Sequence, residues 1–254
     1  MKLMSYNILD GGVDRLPLII DAIKKEAPDY LTINEANTFA QDDNKILKEL
    51  TQQIDLPYFD VALSEEYDYH VAAFSKYPFK HTTKPHPLTR ACLITLIDTD
   101  LGELSVASLH LTPYAEDLRH PEIDLIIKAQ KQYENRILMG DMNSLSQSDN
   151  YDSQIIQQFT VAQLKKFTTD TQIRFDAINK ILSVGYYDVA KELEKNKENT
   201  VPTPTSKDTS HSQMRLDYIF ISDSLLPHLK DYSVVKNKIT DKASDHYPII
   251  AELK

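Results

Sequence analysis

RILMGDMN, residues 136–143, joins a buried strand to a polar turn. Ile137, Leu138 and Met139 form an unbroken apolar run, the pattern of a strand covered on both faces. Gly140 then allows close backbone approach, and the chain turns through Asp141-Met142-Asn143. Residues two apart on an extended segment face the same side, so Asp141 and Asn143 can address one ligand. Asp and Asn also favour ordinary β-turns, so the segment gains weight only from its company. That company is five more strand-like runs with the same kind of ending: SYN at Asn7, LTINE at Glu35, VASLH at His110, RLDYIFIS around Asp217 and SDHYPII at Asp245 and His246. One polar residue beside an apolar run means little. Six such endings, rich in carboxylate, amide and imidazole, point to one site built from many strand ends on a rigid scaffold.

Between these runs lie helical signals. Apolar residues recur at Leu16, Ile19, Ile20 and Ile23 ahead of Pro28, which predicts a helix over 16–25. Ile46, Leu47, Leu50 and Ile54 predict a second over 44–54. YFDVAL, HVAAFS and FKHTT read as short strands. Residues 92–98 and 103–110 flank Asp100-Leu101-Gly102 and read as a hairpin with Gly102 free to take positive φ. Residues 121–132 predict a helix with Ile123, Ile126, Ile127 and Ala129 inward. The segments 151–167 and 174–193 are helical or loop-rich. Residues 192–212, polar and carrying Pro202 and Pro204, read as a long exposed loop. Strands return at 216–221, 232–235 and 248–253. Site residues lie near both ends of the chain, so residues 1–254 are expected to form a single domain, with mixed sheets and helices outside.

Composition narrows the class. At 254 residues with 41% hydrophobic and 26% charged, the chain has enough apolar material for one large core. No apolar run approaches the length that spans a bilayer, and MKLMSYNILD has no long apolar leader region, so a cytoplasmic location without stable membrane insertion is expected. The single cysteine, Cys92 within ACLITLI, cannot form an internal disulfide and reads as a buried small hydrophobe. The net charge of -10 opposes broad binding to nucleic acid. It suits a metal enzyme acting on a small or singly engaged phosphoester.

The ordered set N…E…HL…GDxN…DY…SDH, from Asn7 to His246, resembles the endonuclease/exonuclease/phosphatase superfamily, whose members share the deoxyribonuclease-I-like fold. The resemblance implies an α/β four-layer sandwich: two packed mixed β-sheets flanked by helices. It implies a divalent-metal-dependent phosphoesterase using Mg²⁺ or Mn²⁺. Glu35 would be the metal ligand, with Asn7 beside it and Asp245 as metal neighbour or imidazole orienter. His246 would be the general base that takes a proton from water. Asp141 would orient that water, and Asn143 and His110 would hold phosphoryl oxygens. Asp217 would hydrogen-bond in the same network, and which of Asp217 and Asp245 orients His246 stays open. Hydrolysis would proceed by in-line attack without a covalent intermediate.

GDMN and SDHYP resemble the sphingomyelinase branch. Ser144-Leu145 stands where inositol polyphosphate phosphatases continue with Tyr-Arg, and His110-Leu111 departs from the abasic-site endonucleases. Asn34 stands where Gln often precedes the metal-binding Glu, a position read as peripheral. Arg90, Arg119 and Arg215 are candidates for phosphate contact, although surface ion pairing accounts for each singly. His70, His81, His86, His120, His211 and His228 read as surface or loop residues. The substrate would be a phosphodiester or phosphomonoester, from nucleic acid or from a small molecule or lipid. The rival reading is a non-catalytic binding module that retains the fold. The sequence does not fix the oligomeric state.

Overall fold

In the computed structural model, which describes residues 1–151, 153–206 and 212–254, the side chains of β1 (Lys2–Asn7) alternate between two apolar layers. Leu3 points into the space between two sheets, and Met4 and Tyr6 point to the helices outside. This period of two, repeated strand after strand, builds the layers. The remaining strands of the first half are β2 (Tyr30–Asn34), β3 (Tyr58–Ala62), β4 (Val71–Ser75), β5 (His81–Thr83), β6 (Ala91–Thr99) and β7 (Gly102–His110). The second half adds β8 (Asn135–Asp141), a β9–β10 hairpin (Thr168–Thr169 and Gln172–Ile173), β11 (Tyr186–Asp188), β12 (Asp217–Ser222), β13 (Leu229–Val234) and β14 (Ile249–Leu253). The helices are α1 (Leu16–Glu26), α2 (Lys45–Ile54), α3 (Glu116–Gln130), α4 (Val161–Phe167), α5 (Asp176–Ser183), α6 (Val189–Glu192) and α7 (Thr240–Ala243).

The first six-stranded sheet runs β13-β14-β1-β2-β4-β3 and the second β11-β12-β8-β7-β6-β5. Each has one parallel pair at its centre, β1 with β2 and β7 with β8, and antiparallel neighbours on both sides. A core of residues from both sheets, including Leu3, Val71, Leu93, Val106, Met139, Ile219 and Ile249, fills the space between them. Ile19, Ile23, Leu47 and Leu50 of α1 and α2 cover the first sheet. Ile123, Ile126, Ala177 and Ile181 of α3 and α5 cover the second. This is the expected four-layer sandwich of two mixed sheets.

The sheet interface is not wholly apolar. Thr32 and Ser108 hydroxyls meet at 2.6 Å, and the Tyr30 hydroxyl lies 2.8 Å from Thr95 Oγ1. These bonds fix how one sheet is seated on the other, because a buried hydroxyl without its partner is costly.

Three local expectations change. α3 starts at Glu116, not at 121, so Pro121 lies inside it. Its first turn carries the buried i,i+3 ion pair Glu116–Arg119, and Glu116 also accepts from the Ser144 hydroxyl and the Ala177 N–H, tertiary ties that outweigh the local proline signal. The segment expected as an exposed loop over 192–212 is buried at Thr200, Val201 and Thr203. Val201 forms a bridge with Met214, and Thr200 Oγ1 accepts from the Leu216 and Asp217 N–H groups. His70, expected at the surface, is buried in its loop and accepts from the Ser64 N–H at 3.1 Å. His211 lies outside the described residues.

Candidate active site

Strand register brings the first cluster together. His110 of β7 stands level with Asp141 of β8, and Asp141 level with Asp217 of β12. One rung across three neighbouring strands thus carries an imidazole and two carboxylates, all buried. His246, just ahead of β14, closes the cluster from the other sheet. Its Nδ1 lies 2.8 Å from Asp217 Oδ2, and its Nε2 lies 3.9 Å from Asp141 Oδ2. Of the two carboxylates left open as the imidazole's partner, Asp217 is the one on the ring nitrogen. His110 Nε2 is 3.5 Å from Asp141 Oδ2.

The first sheet supplies the other wall. Asn7 and Asn34 share a rung where β1 and β2 end side by side. The Asn7 amide nitrogen donates to Glu35 Oε1 at 3.3 Å and to Asp141 Oδ2 at 3.2 Å, and its oxygen accepts from the Leu9 N–H. Asn7 therefore ties together carboxylates from the two sheets. Glu35 takes φ 58, and the chain bends there so that its Oε2 accepts from the Asp10 N–H at 2.9 Å. Asn143 also sits at positive φ. Its N–H donates to Asp141 Oδ1 at 2.8 Å, and its side-chain nitrogen donates to the Leu111 carbonyl at 2.9 Å. Left-handed backbone at non-glycine residues is uncommon and concentrates at functional sites. Asp245 lies close enough to raise the Glu35 carboxyl.

Burial and mutual charge set the protonation. Burial pushes Glu35 up to about 6, Asp245 adds to the rise, and the Asp10 N–H opposes it. Burial drives His110 down to about 3 against the pull of Asp141, so its ring is neutral near neutrality. Burial also disfavours a charged His246, but Asp217, Asp245 and Asp141 outweigh it and push the imidazole up to about 10. Burial would raise Asp141, yet His110, His246 and Lys166 hold its carboxyl below the ordinary value.

Several participants carry no sequence signal. Asn34 is fully buried; its side chain donates to the Leu109 carbonyl at 2.8 Å and accepts from the Asp141 N–H at 3.0 Å. It clamps the two sheets at the site and is anything but peripheral. Lys166, in the last turn of α4, donates to Asn143 Oδ1. The Thr160–Gln163 capping box that starts α4 is readable as T-x-x-Q, but nothing in the chain says where Lys166 points. Arg90 stacks on the Tyr69 ring at 3.8 Å, and Tyr69 lies in the field of Asp10 and Glu35 at the mouth of the site. Arg119 and Arg215, candidates for phosphate contact, are instead buried in ion pairs with Glu116 and with Asp149 and Asp188.

The donors suit a hard divalent cation. Asp141, Asp217 and His246 each present a ligand atom within 4.8 Å of the others. Asp217 Oδ1 is buried without a hydrogen-bond partner among the described residues. Carboxylate oxygens are the ligands Mg²⁺ and Mn²⁺ prefer, and a crowd of buried carboxylates calls for a counter-charge.

Similarity to known proteins agrees with this arrangement. Among solved structures, an endonuclease/exonuclease/phosphatase family protein from Leptotrichia buccalis C-1013-b aligns with a TM-score of 0.71 at 20% identity, covering 100% of this chain and 99% of its own. The 3' phosphatase NExo from Neisseria, bound to a product DNA hairpin, aligns at 0.72 and 18% identity with the same coverage of 100% and 99%. An AP endonuclease from Archaeoglobus fulgidus aligns at 0.72 and 19% identity, again covering 100% and 99%. At such identities these likenesses establish the fold. No curated protein sequence matches the chain significantly. The sequence profile of the Endonuclease/Exonuclease/phosphatase family matches residues 4–246. With the strand-end carboxylates, amides and imidazoles gathered as described, the chain belongs to the endonuclease/exonuclease/phosphatase family.

Proposed function

We propose that this protein is a divalent-metal-dependent hydrolase of phosphodiesters or phosphomonoesters. The observation that carries the reading is the rung His110–Asp141–Asp217, with His246 on Asp217 and with Asn7 tying Asp141 to Glu35. Glu35 and Asp245 would hold the cation, with Asn7 positioning Glu35, and the closely spaced Asp141, Asp217 and His246 would stand beside it as water-orienting carboxylate, imidazole partner and base. A bound Mg²⁺ or Mn²⁺ supplies Lewis-acid polarisation of a phosphoryl oxygen. Water attacks phosphorus in line with the leaving oxygen. His246 takes the water's proton, and Asp217 holds its ring and stabilises the imidazolium. Asp245, one of the three carboxylates that raise His246, would sit on the cation, which would lower the imidazole toward the neutral form a base needs. His110, neutral and buried, donates one N–H to a phosphoryl oxygen rather than a full charge.

The mouth of the site supports a substrate with a planar or sugar ring next to the phosphoester. Tyr67 is 75% exposed and packs edge-on to Tyr69, on which Arg90 stacks. Fold relatives include proteins named for action on DNA. The net charge of -10 disfavours a long nucleic-acid track and favours a short or small substrate.

The test is hydrolysis of bis-p-nitrophenyl phosphate, p-nitrophenyl phosphate and plasmid with Mg²⁺ or Mn²⁺, beside His246→Ala and Glu35→Ala. Turnover that needs the cation and falls by roughly 10²–10⁴-fold in His246→Ala is expected. Absence of both turnover and metal binding would put the binding-module reading in its place.

A further inference from the structure

We infer that Lys166 is a phosphate-binding residue of this site and takes a non-bridging phosphoryl oxygen of the substrate. This rests on the phosphoesterase reading above and deepens it. Asn143 is the residue expected to hold that oxygen. Its amide is committed on both sides: the nitrogen to the Leu111 carbonyl, the oxygen to the Lys166 ammonium. One amide N–H remains, and the Lys166 ammonium brings further protons and a full positive charge to the same corner.

The cations around the site are not equivalent. Arg119 is ion-paired with Glu116 and donates to the carbonyls of Thr112 and Lys166, with its buried Nη2 left over. Arg215 is spent on Asp149 and Asp188. Lys166 makes its hydrogen bond to a neutral amide and lies 5.0 Å from the Phe167 ring centre, with no carboxylate in ion-pair contact among the described residues. An ammonium has three protons, and Asn143 uses one. The remaining charge is felt at Asp141, the carboxylate at the centre of the cluster. Burial lowers Lys166 to about 8 against the pull of Asp141. A half-buried ammonium without a paired anion is costly, and a phosphoryl anion is the partner the site's chemistry would bring.

The support for Lys166 is built in. Phe167, next to it, is buried in a small apolar cluster with Leu145, Phe159 and Met214. The Arg119 guanidinium donates to the Lys166 carbonyl. Glu116, which pairs with Arg119, also accepts from the Ser144 hydroxyl and the Ala177 N–H. The helix that carries the lysine is therefore tied to the turn that carries Asp141 and Asn143, so the ammonium is positioned before substrate arrives.

Inorganic phosphate is the probe, used with Mn²⁺ on the intact protein. In Lys166→Met, phosphate inhibition of bis-p-nitrophenyl phosphate turnover is expected to weaken at least tenfold. kcat/KM should fall thirtyfold or more, with Mn²⁺ affinity unchanged. Lys166→Arg should recover phosphate inhibition to within tenfold of wild type. In the wild-type protein phosphate should slow reductive methylation of Lys166, read by mass spectrometry, but not that of exposed Lys165; this readout needs no variant to fold. Unchanged phosphate inhibition and kcat/KM within threefold in Lys166→Met, or no phosphate protection of Lys166, would overturn the inference. A wild-type protein that hydrolyses no ester, yet whose Lys166 is shielded by phosphate, would keep the anion site and sink the hydrolase reading instead.

Discussion

At Gly140 the backbone takes φ +147, and a Cβ there would lie 1.8 Å from the Leu109 carbonyl oxygen. That oxygen accepts from Asn34, whose own oxygen accepts from the Asp141 N–H. One residue thus permits both the close approach of β7 to β8 and the clamp between sheets. Gly140→Ala is expected to lower unfolding free energy by about 3 kcal/mol or more, measured by urea denaturation. A loss under about 1 kcal/mol would show that the strands can part without harm. At this scale the sequence speaks clearly where chemistry is local. Asp141 and Asn143 are legible because a carboxylate and an amide two apart after a buried strand share a side. Asn34 and Lys166 are not, because an Asn at a strand end and a Lys in a short helix are ordinary residues until the other sheet or the far turn is in place.

Between elements, Arg215 acts as a staple. It is 1% exposed and joins Asp149, in the turn after β8, to Asp188, at the end of β11, while resting 4.2 Å above the Tyr218 ring. Breaking a buried pair by removing one partner costs about 3–5 kcal/mol, because the remaining charges are stranded. Arg215→Met is therefore expected to lower stability by that amount, seen as an earlier thermal transition. The double change Asp149→Asn with Asp188→Asn in the same background should recover part of the loss, and no recovery would assign the loss to packing. Most elements were legible from their periods. α1 and the β6–β7 hairpin carry strong local signals: Ile19 and Ile23 on one helix face, and Gly102 at a turn. The exceptions share a cause. The first turn of α3 is held by Glu116 accepting from Ser144 and Ala177, and Thr200, Val201 and Thr203 are buried because Thr200 caps the start of β12. Both depend on partners far along the chain, which no window of local pattern contains.

For the whole molecule, the site is the last thing the fold can finish. Ser5 pairs with Ile249, and β1 lies between β2 and β14. Asn7 and His246 reach the same site from opposite ends of the sequence. Contacts so distant in sequence form slowly, since loop closure must precede their reward. On refolding from urea with Mn²⁺ present, far-UV circular dichroism is expected to recover before metal affinity does. Simultaneous recovery would mean that the cluster forms from β7, β8 and Glu35 without the final strand. The resemblance in the sequence was legible as an order of motifs; the closeness of their ends was not, because only the pairing of β1 with β14 brings them together. The β1–β14 pairing also sets a clock on synthesis. A chain emerging from the ribosome has displayed Glu35, His110 and Asp141 long before His246 appears. During that interval the cluster still lacks His246. No proteolytic fragment lacking either strand of that pair inherits the complete site.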